Sequence, residues 1–482
     1  MIKSKSVDLL HILSQREFKK LGEFLNSPLH NKNRRLVELY GILEEYHPGF
    51  SSDGFTKQTL YSRLFPGEKY RDNMMRKVLS ELSSKILEFL AYINFTQDRL
   101  EQNKHLMSEL NKRNADKYFE ESFKDAEDAL QYSFGSEEML DYKHSLEFEK
   151  NTSFLKKNKF LFDESLLNES NYLIKYFLLK ILRRYTQILN KQIYELSANY
   201  KLDLLDEILQ YLKANKYDDI PAIQLYYNLV MLMLNEHDEQ YLINVKITIS
   251  EKESLLEKLD IYNAYFIMNN YYRKKLDNGS ITYVSELFGL YRTQLSKDIY
   301  KIEKYIHPTL FLNIVRTGTR LKKFDWIENF ICCYIHEIEP NYRENTLNFS
   351  MAMLNFFRKN YNESMDCLSR LKFNGYYHKL DVYCYMLRIY YELNETEPLI
   401  SLIDTYKHVL SKDRQIPEFK KSEYKSFIKF LGYLIKMKMK DDYSRVTELK
   451  RELVKVHSVS CTGWFWEKFT ELDTPGKLKH TA

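Results

Sequence analysis

Glycine and proline are scarce in this chain, 13 and 9 among 482 residues, or about 5% against roughly 12% in an average protein. Strands and tight turns depend on those residue types, so their scarcity argues against a strand-rich fold and for long helices with short connections. Cysteine is scarce as well: Cys332, Cys333, Cys367, Cys384 and Cys461 are odd in number and include no Cys-x-x-Cys pair. Adjacent Cys332 and Cys333 cannot join in ordinary disulfide geometry, and all five read as small apolar residues of helix interiors. No stretch reaches the ~18 consecutive apolar residues of a membrane span. The short apolar run from Val7 to Leu13 is interrupted by Asp8 and His11, which is not the pattern of a signal peptide. The expected location is cytoplasmic, with no membrane partner.

Catalytic signatures are missing too. There is no Gly-x-Ser-x-Gly elbow, no phosphate-cradling glycine loop and no His-Glu-x-x-His. The 12 histidines are scattered, with none four residues from another. Paired acids such as Glu120-Glu121, Asp218-Asp219 and Asp441-Asp442 sit in polar text. The expectation is a chain that is not an enzyme, with no catalytic residue, no metal and no cofactor.

What is present is charge and helical periodicity. The net charge of +5 is uneven: residues 1–95 carry +4, residues 405–482 carry +7, and the stretch between them −6. Ser14-Gln-Arg-Glu17 reads as a capping box for a helix that stops near Asn26, ahead of Pro28. A second helix carries Leu36, Leu39, Tyr40 and Leu43 on one face. A short helix (57–64) follows, then a Phe-Pro-Gly turn, then a long helix capped by Asp72. Its apolar stripe is Met75, Val78, Leu79, Leu82, Ile86, Phe89, Leu90 and Ile93. The text from Gln97 to Phe134 is polar and helical and breaks at Gly135-Ser136. Long helices are expected over 137–158 and 172–196. Two hairpins follow, at about 221–249 and 251–295, the first opened by Pro221 and the second turning at Asn278-Gly279-Ser280. Tyrosine pairs such as Tyr271-Tyr272, Tyr376-Tyr377 and Tyr390-Tyr391 are read as packing residues.

From about Thr309 to Ser411 residue types recur with a step of 35: Ile314, Phe349 and Cys384 in one column, Leu321, Phe356 and Tyr391 in a second. Phe330, Met365 and Ile400 make a third column, and Cys333, Leu368 and Ile403 a fourth. A period of this length marks helical hairpins that bury their apolar faces only against neighbours. Ala352, Tyr361, Ser364 and Leu368 resemble the small-x8-Tyr-x2-small-x3-large spacing of tetratricopeptide repeats. The equivalents in the flanking units are Thr317, Trp326, Asn329 and Cys333 before it, and Leu387, Thr396, Leu399 and Ile403 after it. The resemblance implies a stack in which the first helix of each unit lines a groove for a protein or peptide. Carried onto this chain, the outward groove positions are Lys322, Met353, Phe357, Arg388 and Glu392. Beyond the period come a helix over 418–439 and a tail, Gly463-Trp-Phe-Trp466, expected to cap the last open face.

Two basic features compete with that reading. The short helix, Phe-Pro turn and long helix over 55–95 are similar to the helical core of a winged helix-turn-helix, which implies nucleic-acid contacts by Arg71, Arg76 and Lys77. Lys421, Lys425, Lys429, Lys436 and Lys440 lie on one helix face, opposite Phe427, Phe430, Leu431 and Leu434. That stripe reads as a solvated outer surface. The fold class is all-α, in three parts: a helical N-terminal domain (1–95), irregular helical hairpins (96–300), and tetratricopeptide-like repeats with a C-terminal cap (301–482). The expected function is a non-catalytic interaction scaffold. The alternative is a DNA-binding regulator that uses its repeats as a sensor.

Overall fold

The computed structural model describes residues 4–50, 54–130, 135–157, 164–193, 200–277, 282–301, 304–372, 379–412, 418–455 and 461–473. Helix makes up 81% of the structure, and no strand forms among the described residues. The sole sheet-like feature there is an isolated bridge between Ile306 and Ile338. No described helix is long and apolar enough to cross a membrane. The chain divides into two units, Met1–Gln131 with Tyr142–Glu169, and Tyr132–Asp141 with Ser170–Ala482.

The first unit opens with α1 (Lys5–His11), α2 (Gln15–Asn26), α3 (Arg34–Glu44), α4 (Lys57–Leu64) and α5 (Asp72–Gln97), followed by α6 (Arg99–Lys112) and α7 (Asp116–Leu130). The capping box forms as its spacing dictates: the Ser14 N–H donates to Glu17 Oε2 at 2.8 Å, and the Glu17 N–H donates to Ser14 Oγ at 3.3 Å. Helices α1 to α5 share one core, in which Leu36, Leu39, Leu43, Met75, Leu82 and Ile86 are essentially inaccessible. Asp72 is the first residue of α5 rather than its cap. It accepts the Tyr70 hydroxyl at 2.8 Å, and the cap position falls on Arg71, whose side chain makes no cap bond. Helix α8 (Glu137–Lys157) contributes Glu149, which accepts from the Asn111 amide at 2.6 Å.

The second unit takes in most of α9 (Glu164–Lys191), then α10 (Leu205–Ala214), α11 (Pro221–Leu234), α12 (Gln240–Lys252), α13 (Lys258–Asp277) and α14 (Thr282–Ser296). The regular hairpins follow: α15 (Pro308–Arg320) with α16 (Phe324–Tyr334), α17 (Pro340–Phe357) with α18 (Tyr361–Ser369), and α19 (Lys379–Glu392) with α20 (Thr396–Lys412). Then come α21 (Glu418–Lys440), α22 (Val446–Lys455) and α23 (Thr462–Leu472). Pro221 begins α11, where the missing N–H costs nothing. Helices packed against their neighbours through one continuous apolar core are compatible with a helical solenoid. The Trp464 face of α23 closes on α21, with the Phe465 ring 5.5 Å from Phe427 and 5.8 Å from Phe430. The turn expected at 278–280 and the pair Tyr376-Tyr377 lie outside the described residues.

A buried ion cluster ties the start of this unit together. Arg183 on α9 donates to both oxygens of Asp260 on α13, at 3.0 and 2.8 Å. Glu257 and Glu137 complete its ring at 2.5 and 3.2 Å. The Tyr226 hydroxyl adds a third donor to Asp260 at 2.8 Å.

Candidate functional site

The turns inside the three regular hairpins set their true register. Each passes through one residue in left-handed backbone, Lys322 (φ 55°), Lys359 (φ 66°) and Asn394 (φ 61°), and the second helix starts two residues later. Lys322 and Lys359 are 37 residues apart, Lys359 and Asn394 35. The step of 35 therefore holds between the second and third hairpins and slips by two between the first and second. In the structural register Val315, Ala352 and Leu387 are all fully buried, as are Ile327 and Ser364 with Leu399 at 3%. Ile331, not Cys333, is the partner of Leu368: Cys333 and Cys332 are exposed, which corrects their reading as interior residues. Ile400 is exposed as well, so the third column fails at its last member. Small residues bring the paired helices close. The Ser364 hydroxyl donates to the Ala352 carbonyl at 2.7 Å, and a Cβ on Gly318 would stand 2.3 Å from Ile327 Cδ1.

The expected groove positions divide under this register. Lys322 is the exposed turn residue rather than a helix-face residue, and Arg320 takes its place. Met353 and Arg388 are core, at 0% and 3% exposure, so the outward orientation expected of them is corrected. The reason is close approach of α17 and α19: the Phe349 and Phe356 rings meet Tyr385 edge-on at 5.7 and 5.4 Å. Arg388 lies over Phe356 and Tyr385, 4.4 and 4.1 Å from the ring centroids, with Nε donating to the Cys384 carbonyl at 3.1 Å. Phe357 is half-buried. Glu392 is already engaged within the chain: it accepts the Trp464 indole N–H at 2.7 Å and pairs with Lys468 at 2.9 Å.

Arg316 on α15 shares the register position of Met353 and Arg388, and it leads into a polar cluster absent from the sequence reading. Burial works against its charge, yet Tyr385 and Asp381 of α19, Cys461 at the start of α23 and Tyr424 of α21 together hold its pKa above the usual arginine value. The Tyr424 hydroxyl donates to Asp381 Oδ1 at 2.7 Å, and the Tyr406 hydroxyl lies 3.3 Å from Cys384 Sγ. Burial pushes the Cys384 thiol well up, and Cys461 adds to the shift. Burial likewise raises Tyr406 and Tyr424 far above the ordinary phenol range, with Cys384 and Asp381 as the leading charges. At neutral pH these three groups are uncharged. The cluster then sets the Arg316 and Arg388 guanidiniums near the carboxylate of Asp381, whose Oδ1 already accepts the Tyr424 hydroxyl. A guanidinium in such a place can pair with an anionic group.

No family model, curated protein or solved structure matches this chain. Its own geometry carries the reading.

Elsewhere the basic residues are dispersed. Arg71, at the cap of α5, and Lys77 are exposed, while Arg76, exposed as well, pairs with Asp72 at 2.6 Å. Helix α5 runs to Gln97 and α6 begins at Arg99, so no strand pair follows it among the described residues. On α21, Lys425, Lys429, Lys436 and Lys440 are exposed, and Lys429 reaches Glu452 at 3.5 Å. An open depression on α23, lined by Trp466, Glu467, Thr470 and Glu471, draws on one helix alone and brings no groups from elsewhere together. Among the described residues no grouping of three or more His, Cys, Asp or Glu could hold a metal ion.

Proposed function

We propose that this chain is a non-catalytic scaffold that binds a protein or peptide through a tetratricopeptide-like groove formed by the first helices of its C-terminal hairpins. The observation that carries the reading is the cluster around Arg316. Arg316 stays partly exposed at the first-helix position where Met353 and Arg388 are packed, with Asp381 as the carboxylate that acts on it. Arginine and aromatic anchors dominate binding energy in interfaces. The docking of α23 supports it: Glu392, one turn beyond Arg388, accepts an indole N–H and an ammonium from a helix 72 and 76 residues away. A DNA-reading role for α4 and α5 draws less support, because among the described residues α6 follows α5 directly and no strand pair stands where a wing would.

Selection of displayed random dodecapeptides on the purified chain tests the proposal. Enriched peptides should bind the wild type and lose affinity in an Arg320→Glu, Phe357→Ser variant that keeps its melting temperature. Failure to enrich any sequence, or binding indifferent to that double change, refutes it.

A further inference from the structure

Hairpin geometry brings two more unspent groups to the face that Arg316 occupies. In the α13–α14 hairpin the Asn269 amide donates to Gln294 Oε1 at 2.9 Å. The helices run antiparallel, so one turn forward on α13 and one turn back on α14 sets Arg273 opposite Tyr291. Phe288 of the same helix packs against α15 at Gly318, its ring 3.1 Å from where a Cβ would be. Tyr291 lies one turn on from Phe288, on the same face of α14 toward α15, and Arg316 of α15 is among the cations that act on its hydroxyl. The Tyr291 ring is fully buried, yet its hydroxyl has no hydrogen-bond partner. Such a group costs free energy unless something arrives to accept its proton. Arg273 and Arg316 are both half-buried, and among the described residues neither guanidinium joins an ion pair or donates a hydrogen bond. Burial pushes the Tyr291 phenol up to about 12, while Arg273 and Arg316 both act to lower it, so the same hydroxyl feels both cations. Asp381 is the carboxylate that acts on Arg316, and its Oδ1 already accepts the Tyr424 hydroxyl.

We propose that Arg273, Tyr291 and Arg316 form an oxyanion cradle that takes a carboxylate of the bound peptide, either its C-terminus or an acidic side chain. The proposal rests on the scaffold reading above. Two guanidiniums and a phenol present donors from three helices to one planar acceptor, the geometry in which arginine surpasses lysine. The positive surplus selects an acidic partner over a neutral one.

The test uses the full chain and rhodamine-labelled random octapeptides followed by fluorescence anisotropy. One pool has a free C-terminal carboxylate and no acidic side chains, a second is amidated and contains Asp and Glu, and a third is amidated and carries no carboxylate. At least one carboxylate pool should bind about tenfold or more tightly than the third, the scale of one charge-assisted hydrogen bond. Arg273→Met and Arg316→Met should each erase that preference. Tyr291→Phe is the sharper variant: it should weaken binding of the carboxylate pools while keeping or raising the melting temperature, because it removes a buried hydroxyl without a partner. A hydroxyl with a purely structural role would lower the melting temperature and leave affinity alone, and that overturns the cradle. Equal binding of all three pools, unchanged in the variants, overturns the cradle and leaves the scaffold standing. Failure of every pool to bind the wild type overturns the scaffold and the cradle with it.

Discussion

Arg183 offers the most direct measurement of what holds the second unit together. Its three acidic partners differ in burial: the Asp260 side chain is 1% exposed, against 24% for Glu137 and 35% for Glu257. Ion pairs open to water contribute roughly 0–1 kcal/mol, so Glu137→Gln and Glu257→Gln should each cost about that or less. Asp260 is different. In Arg183→Met it keeps the Tyr226 hydroxyl but loses the cation that offsets its desolvation, and removing one partner of a buried pair costs about 3–5 kcal/mol. Adding Asp260→Asn to Arg183→Met removes the stranded charge and should recover more than half of that loss. The assay is urea unfolding followed by tryptophan fluorescence. All 3 tryptophans, Trp326, Trp464 and Trp466, lie in the second unit, so the signal reports that unit. A loss below about 1 kcal/mol for Arg183→Met, or no recovery in the double variant, would show that Asp260 is hydrated when the arginine leaves and that the burial argument is wrong.

Two further changes probe the first of the regular hairpins. His307 caps α15, its Nδ1 accepting the Thr309 N–H at 3.3 Å. Although the residue is exposed overall, partial desolvation of its ring lowers its pKa from 6.5. The unfolded chain therefore takes up the proton first: the cap contribution is intact above about pH 6.5 and declines as the pH falls toward the folded value. His307→Asn retains a capping side chain and should flatten the stability profile of the second unit between about pH 7.5 and 5.5, whereas an unchanged slope assigns the pH dependence elsewhere. Gly318→Ala would place a Cβ 2.3 Å from Ile327 Cδ1 and 2.6 Å from its Cγ1. Overpacking of about 1–3 kcal/mol should exceed the roughly 1 kcal/mol of helix propensity gained, so the melting temperature falls; a rise would mean that α15 and α16 separate freely.

The helices were legible because their signals are local. Ser14 and Glu17 specify the start of α2 on their own, and Pro221 the start of α11. The stripe from Met75 to Ile93 needs a period of 3.6 and one apolar face, and all of it but Leu90 is buried. Register between the C-terminal hairpins is a weaker signal. The step from the first hairpin to the second is two residues longer than from the second to the third. The column Ile314, Phe349 and Cys384 stays buried even under the wrong alignment, because each helix buries more than one face. Lys322 was misplaced for that reason. What settles the alignment is a left-handed turn residue, here twice lysine and once asparagine, and only asparagine carries a conformational preference that a sequence reveals.

The cluster at Arg316 could not be read at all, and the cause is distance along the chain. Arg316, Asp381 and Tyr424 sit on three helices and Cys461 at the cap of a fourth, and each alone is a commonplace residue in helical text. An outward column in one hairpin becomes a buried one where the neighbouring first helix closes on it, as at Met353 and Arg388. Arg316 keeps partial exposure, so the same register position is packing in two hairpins and a half-buried cation in the third. A recurring pattern predicts which residues are equivalent; how closely the neighbouring first helix packs decides which equivalents stay partly exposed. The informative sequence signal is therefore the residue that breaks the chemistry of its column, an arginine amid Phe311, Leu312, Ile314, Val315 and Gly318, where a helix built only to pack would carry another apolar side chain.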